Sequence, residues 1–132
     1  MKKNAVAHFE IYADDPDALQ QFYSELFDWT MQPVSGMDYR FIQTVDVDPQ
    51  GMPTQPGGIN GGMAKRPDGY KTRAWMNYVN VESLDTAVAR AQQLGARVMR
   101  ARTPVPGMGW FAMLTDPQGN EFAMWETDAG AK

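Results

Sequence analysis

The chain has 132 residues, 43% of them hydrophobic and 21% charged, which are the size and composition of one globular domain. Twelve Lys and Arg against sixteen Asp and Glu leave a net charge of −4, and the scattered basic residues exclude the basic surface that a nucleic-acid partner requires. No apolar run approaches the roughly 18 residues of a membrane span. The chain has no cysteine, which excludes disulfides, thiolate metal sites and a cysteine nucleophile.

The amino terminus does not predict secretion. Met1 to Lys3 resembles the basic start of a signal peptide, but residues 4–10 supply no apolar segment after it. We therefore expect a cytoplasmic protein with neither a membrane nor a nucleic-acid partner.

A strand and a helix open the chain. Residues 5–12 alternate in polarity, which predicts a strand with His8 and Glu10 on one face and Phe9 and Ile11 on the other. Asp15 suits a helix N-cap and Pro16 the first helical position. Apolar residues then recur at the spacing of one helix face: Leu19, Phe22, Tyr23, Leu26 and Phe27.

Strands complete the first half. We predict them over residues 29–34, 39–47 and, more weakly because of its glycines, 59–64. Residues 48–58 hold three Pro and three Gly and predict a loop. The polar stretch 66–73 predicts a linker.

The second half repeats this order. Residues 74–81 predict a strand, and Ser83 and Gly95 mark the start and end of a helix. Residues 97–100 predict a strand and residues 103–108 a loop. Residues 109–126 predict a β-hairpin, because Asp116-Pro117-Gln118-Gly119 has the residues of a type I turn that closes at a left-handed glycine.

The two halves form a hidden repeat. Aligning Ile11 with Val79 gives an offset of 79 − 11 = 68, which falls to 117 − 56 = 61 where Pro56 faces Pro117. We predict an α+β fold of two βαβββ modules that join into a curved mixed sheet, a cup with the helices on its outer face. The expected single domain, 1–132, has modules over 1–65 and 74–132. A dimeric ferredoxin-like barrel fits the single early helix of each half less well.

Three segments carry a resemblance to a known family: HFEIYADD followed by FYSELFDW, then VNVESLDTAVARAQQLGA, and LTDPQGNEFAMWE. They resemble the vicinal oxygen chelate superfamily of glyoxalases, bleomycin-resistance proteins and extradiol dioxygenases. Within it, the chain is most similar to small bacterial proteins related to lactoylglutathione lyase. This resemblance implies the same fold and a homodimer, but the fold hosts several chemistries and some pure binding proteins.

The resemblance also implies where a metal ion would bind. Metal-using members take one ligand from the first and one from the last strand of each module, positions that correspond here to His8, Gly62, Met76 and Ala123. Only His8 is a competent ligand, because glycine and alanine offer no donor and a thioether suits a hard or borderline ion poorly. We expect no cofactor; the alternative is a divalent Zn, Ni, Mn or Fe ion on His8, the one matching position.

His8 and Glu10 are the catalytic candidates. They lie two residues apart on one strand and could exchange a proton with a ligand. The alternative is that His8 is a hydrogen-bonded wall residue that never transfers a proton.

Strand parity and loop position predict the rest of a ligand-binding surface. Aromatic, methionine and amide side chains suit a flat, partly apolar molecule. With His8 and Glu10, the predicted lining residues are Met76, Tyr78, Asn80, Glu121, Ala123 and Trp125, with Trp110 as part of a lid.

Four functions remain open. The chain could be a small-molecule-binding protein without a working metal centre, or a metal-dependent lyase, isomerase or dioxygenase. It could also be a metal-free enzyme that uses His8 and Glu10 for proton transfer. A protein-interaction module would rest on an exposed Trp29 and the loop over 48–58.

Overall fold

The computed structural model describes residues 3–132, so Met1 and Lys2, the start of the stretch compared with a signal peptide, lie outside the described residues. The chain folds as two βαβββ repeats, which confirms the predicted α+β class. In chain order the elements are β1 (Val6–Ala13), α1 (Pro16–Phe27), β2 (Thr30–Pro33), β3 (Tyr39–Gln43), β4 (Gly61–Lys65), β5 (Met76–Asn80), α2 (Leu84–Gln93), β6 (Arg97–Val105), β7 (Gly109–Thr115) and β8 (Glu121–Thr127). Within the described part of the chain, neither helix has the length and apolar character needed to cross a membrane.

The strand registers confirm the repeat residue by residue. In the first module β1 pairs in parallel with β4, and Glu10 faces Gly62. In the second module β5 pairs in parallel with β8, and Tyr78 faces Ala123. The differences are 78 − 10 = 68 and 123 − 62 = 61, the two offsets read from the sequence. The strand orders are also equivalent: the first module has the order β2-β3-β4-β1, and the second, read from its last strand in the sheet, has the order β6-β7-β8-β5. Each strand of the first module thus corresponds to the strand numbered four higher in the second.

The chain divides into two compact units. One unit is His8–Trp75, and the other consists of Met76–Lys132 together with the residues up to Ala7. The predicted linker over 66–73 is held on the first unit. Arg66 and Arg73 both donate to Asp14, at 2.9 and 2.8 Å, and the hydrogen bonds from Arg73 and then Arg66 lower the pKa of Asp14.

The first core forms between β1 and α1. Asp15 caps the helix as predicted, because its Oδ1 accepts from the Ala18 amide at 3.2 Å. The buried cluster consists of Phe9, Ile11, Ala13, Ile42 and Met63, and Trp29 packs against it. Trp29 is only half-exposed, with its ring 6.2 Å from that of Phe9. The expectation of an exposed Trp29 is therefore wrong.

Strand β3 ends earlier than the sequence predicts. The Oδ1 atom of Asn60 accepts hydrogen bonds from the amides of Thr44 and Val45, at 2.8 and 3.1 Å. A side chain thus replaces the strand ladder after Gln43, so the predicted strand over 39–47 stops there.

The second core forms between α2 and the hairpin. Ser83 caps α2 by accepting from Thr86 at 3.3 Å, and Gly95 follows the helix with φ 104°. Leu84, Ala112, Leu114 and Met124 form the buried cluster. The hairpin turn is confirmed, since the Gly119 amide donates to the Asp116 carbonyl at 3.0 Å and Gly119 has φ 87°.

Strand β6 runs further than predicted. It includes Thr103, Pro104 and Val105, where the sequence predicts a loop. Proline is tolerated there because β6 is the last strand of its module's sheet, and proline within a sheet is confined mainly to such edge strands. Two register shifts around Arg100 accommodate the change of path.

Candidate functional site

Strand β1 separates the core from the candidate site. Phe9 and Ile11 belong to the buried cluster beneath α1, so alternation places His8 and Glu10 on the opposite face of the strand, as predicted. Glu10 is only 8% exposed, and among the buried residues that the structure describes it is the only one with a charged side chain. A carboxylate this deeply buried requires compensating partners.

Two side chains supply those partners, and both contact the same oxygen. Glu10 Oε1 lies 2.7 Å from His8 Nε2 and 2.7 Å from the Tyr39 hydroxyl. Because an ionised carboxylate can only accept, His8 donates through Nε2–H and Tyr39 through its O–H. The hydroxyl oxygen also lies 3.3 Å from His8 Nε2, so each of the three groups contacts the other two.

The second carboxylate oxygen is in a different position. Glu10 Oε2 is buried and has no hydrogen-bond partner among the described residues. Leaving a buried acceptor unsatisfied costs about 1–3 kcal/mol. The cluster therefore presents one carboxylate oxygen that is held and one that can accept a further hydrogen bond or a proton.

Tyr39 is the site residue that sequence reasoning missed. It opens β3, where it pairs with Ala64, and Gly62 lies two residues away on the same face of β4. The available signal was the glycine pair at the start of β4, because an aromatic side chain on a neighbouring strand often covers a strand glycine. Recognising this needed the register between β3 and β4, which the sequence does not give.

The second module gathers most of the remaining predicted residues on one face. Leu114 and Met124 pack with α2, so alternation along the strands places the ligand-lining candidates on the other face. Tyr78 is 6% exposed, and its ring lies 6.3 Å from that of Phe111. The predicted residues on this face are Met76, Tyr78 and Asn80 of β5 with Glu121, Ala123 and Trp125 of β8.

These residues differ in how much they can offer a ligand. Met76 is 2% exposed and Ala123 is fully buried, so their side chains contribute shape alone. Asn80 is exposed and Glu121 is half-buried. Trp125 is also half-buried, and its Nε1–H donates to the Thr127 hydroxyl at 3.0 Å.

Trp110 does not belong to this surface. It packs against the cluster around Leu84 on the helix side of the sheet. Its Nε1–H donates to Asp128 Oδ2 at 3.0 Å, and the Arg102 guanidinium lies 4.1 Å from its ring centre. The hydrogen bond from Trp110 is the main cause of the lowered pKa of Asp128. The prediction of Trp110 as a ligand-binding lid is corrected by strand parity: it faces the same side as Met124 and the opposite side from Trp125.

The donor set does not fit a divalent ion held in the manner of the resembled superfamily. Of the four corresponding positions only His8 carries a nitrogen or oxygen side-chain donor, and Gly62 has no side chain at all. Throughout residues 3–132, no group of three or more His, Asp and Glu side chains converges in a way that could hold a metal.

Comparison with known proteins finds a family model that matches most of the chain. The family model for the glyoxalase-like domain matches residues 8–125. A Mycobacterium tuberculosis protein, CFP32, assigned provisionally as a glyoxylase, is 29% identical over 120 residues, which are 87% of this chain and 41% of the relative. The anthracycline biosynthesis protein DnrV of Streptomyces peucetius is 28% identical over 135 residues, 92% of this chain and 46% of the relative. The chain thus spans less than half the length of these curated relatives.

Solved structures share the fold at low identity. Methylmalonyl-CoA epimerase of Streptomyces coelicolor, in complex with 2-nitronate-propionyl-CoA, superposes with a TM-score of 0.61 at 18% identity, covering 94% of this chain and 97% of that one. The protein BH1468 of Bacillus halodurans superposes with a TM-score of 0.64 at 13% identity, covering 99% of both chains.

Proposed function

Since the chain belongs to the glyoxalase-like domain family, we propose that it is a cytoplasmic small-molecule-binding protein that works without a divalent metal centre. The observation that carries the proposal is Glu10 Oε2, a buried acceptor without a partner among the described residues. A ligand that brings an O–H or N–H group would satisfy this atom and recover the cost of its burial.

The surroundings of Glu10 in the first module favour a flat, hydroxylated aromatic ligand. Phe41 lies on the same face as Tyr39, is 39% exposed, and has its ring 5.6 Å from that of Tyr39. Phe41 and Glu10 pair with Gly62 from its two neighbouring strands, so an aromatic surface and a carboxylate lie on either side of the Tyr39 hydroxyl that covers this glycine. One relative is named as an anthracycline biosynthesis protein, and anthracyclines are flat polycyclic compounds, which supports this ligand class.

The ligand class is tested with a matched pair of probes, 2-naphthol and 2-methoxynaphthalene. In the second probe a methyl group replaces the hydroxyl hydrogen, so it cannot donate a hydrogen bond. A hydrogen bond to a charged group contributes about 1.5–3 kcal/mol, so wild-type protein should bind the naphthol at least about tenfold more tightly in calorimetric titration. Glu10→Gln should remove most of this preference, whereas Glu25→Gln, an exposed control on α1, should leave it unchanged.

The outcomes separate the ligand class from the function. Equal affinity for the two probes would contradict the role of Glu10 and leave small-molecule binding standing. If neither probe nor any member of a panel of small aromatic compounds shifts the NMR spectrum of the folded protein, the binding function itself is wrong.

A second candidate function is metal-free proton transfer next to a carbonyl group. Oε1 of Glu10 accepts two hydrogen bonds and Oε2 accepts none among the described residues, so Oε2 is the oxygen assigned to receive a proton from a substrate. Oε2 would take the proton from carbon while the C–H electron pair moves toward the carbonyl oxygen, and the proton would then return to carbon. The epimerase neighbours, which act on a CoA ester, motivate the probe.

This second function is tested by deuterium uptake into methylmalonyl-CoA in D₂O, followed by mass spectrometry. Catalysed exchange should fall in both Glu10→Gln and His8→Ala. Equal exchange in wild type and His8→Ala would remove His8 from the mechanism, and no exchange above background would rule out the activity for this ester.

We further propose that the protein is a homodimer formed through α1. None of the residues of α1 is buried, and its apolar stripe leaves Phe22 55%, Leu26 57% and Phe27 50% exposed. A half-covered stripe of this kind is typical of an interaction face. Analytical ultracentrifugation should show a dimer, and Leu26→Ser should weaken its association. Leu94→Ser is the control: Leu94 is 62% exposed but lies on the other module, so this variant should leave the dimer unchanged. A monomeric wild type would contradict the proposal.

A further inference from the structure

We infer that the Tyr39 hydroxyl takes the place of the β4 metal ligand that this chain lacks, so that a phenol, and not a cation, joins Glu10 and His8. The inference deepens the proposed function and rests on it. Its starting point is the crowding above Gly62: a Cβ atom built there would lie 1.6 Å from the Tyr39 hydroxyl oxygen and 2.1 Å from Cζ. No side chain can occupy position 62 while Tyr39 keeps this place.

The register shows that position 62 is the relevant one. Gly62 faces Glu10 in the first module as Ala123 faces Tyr78 in the second. The β4 position that the superfamily resemblance marks as a metal-ligand position therefore lies beside the carboxylate. In this chain its space is filled by a side chain that comes from β3.

The contacts of Tyr39 resemble those of a bridging group. Its hydroxyl lies 2.7 Å from Glu10 Oε1 and 3.3 Å from His8 Nε2, while these two atoms are themselves 2.7 Å apart. A hydroxyl hydrogen directed at Oε1 offsets part of the negative charge that a cation would otherwise neutralise. Tyr39 is thus a positioning residue, which holds Glu10 by one oxygen and keeps Oε2 as the acceptor for a ligand.

Tyr39 and a side chain at position 62 exclude each other, and a mutant cycle tests this. The first readout is thermal stability. Gly62→Ala should lower the Tm by several degrees in the wild-type background and much less in a Tyr39→Ala background, because removing the phenol opens the space. Equal losses in the two backgrounds would overturn the inference.

The second readout is the gain of a metal site. In the Tyr39→Ala, Gly62→His double variant, an imidazole replaces the phenol beside His8 and Glu10, and we expect about one bound Co²⁺ per chain, visible by its absorption and by elemental analysis. The single variants should not bind, and His8→Ala in the double background should abolish the gain. A double variant that is folded by circular dichroism yet binds no Co²⁺ contradicts the inference.

Control measurements keep the inference distinct from the proposed function. Stoichiometric Co²⁺ or Zn²⁺ on the wild-type chain, lost in His8→Ala, would contradict the metal-free function itself. Naphthol binding by wild type alongside a silent, folded double variant would contradict only the role assigned to Tyr39. If the double variant does not fold, the comparison of Tm losses decides the question.

Discussion

The Glu126 carboxylate caps the first turn of α2 from a strand: its Oε1 accepts a hydrogen bond from the Leu84 amide at 2.7 Å. The two residues are 42 positions apart in the chain. Glu126 points to the helix side of β8, as strand parity predicts, and its negative charge lies at the positive end of the helix dipole. One contact thus fixes the hairpin and the helix of the second module together.

Removing this cap should destabilise the second module. We expect Glu126→Ala to lower the free energy of unfolding by about 1–2 kcal/mol, since it deletes a charge-assisted hydrogen bond to an otherwise unpaired helix amide. Chemical denaturation measures the loss. Glu25→Ala is the control, because Glu25 is exposed and its carboxylate accepts a hydrogen bond from Gln21 within α1. If Glu25→Ala costs as much stability as Glu126→Ala, the capping role of Glu126 is contradicted.

The two ends of α2 should respond very differently to truncation of a leucine. Leu84 is fully buried whereas Leu94 is 62% exposed. Leu84→Ala should therefore cost about 2–5 kcal/mol through lost burial and a cavity, and Leu94→Ala at most about 0.5 kcal/mol. Urea titrations of the two variants provide the comparison, and similar midpoints for both would show that α2 is docked differently.

The hairpin turn should lose stability in acid. The Asn120 side chain, followed by the amides of Asn120 and Gln118, holds the pKa of Asp116 below its ordinary value of 3.8. Because the folded-state pKa is the lower one, the contribution is fully present above pH 3.8 and is lost as the pH falls below that value. Thermal melts of wild type and Asp116→Asn should converge in this acidic range, and a constant gap between them down to the folded pKa would contradict the linkage.

Trp110 should matter for stability and not for ligand binding. Trp110→Phe removes the hydrogen bond to Asp128 and part of the stacking surface for Arg102, at a cost of about 1–3 kcal/mol. The affinity for 2-naphthol should stay within about twofold of wild type, well below the tenfold that 1.4 kcal/mol represents. A large loss of affinity in a folded Trp110→Phe protein would restore the lid that the sequence suggested.

Local signals were sufficient to predict the helices. The start of α1 is marked by Asp15 and Pro16. The start of α2 is marked by Ser83 and its end by Gly95. These signals act through contacts within a few residues, and the structure has both helices there. The repeat was equally predictable, because two fixed offsets relate the modules.

What the sequence could not predict depends on contacts between distant residues. Strand β3 stops early because the Asn60 side chain bonds amides 15 and 16 positions away. The role of Tyr39 depends on Glu10, 29 positions distant, and on the register that places the phenol over Gly62. Composition and periodicity carry no information about such pairings, so two members of the polar cluster, His8 and Glu10, were predicted and the third, Tyr39, was not.

The path of β6 has a further consequence for the behaviour of the protein at high concentration. As the outermost strand of its module's sheet, β6 would otherwise offer a row of free amides to a strand from another molecule. Pro104 has no amide hydrogen, and the two register shifts beside Arg100 break the regular spacing of the outer ladder. The proline that led the sequence analysis to predict a loop at the end of β6, together with these register shifts, protects the sheet against edge-to-edge aggregation.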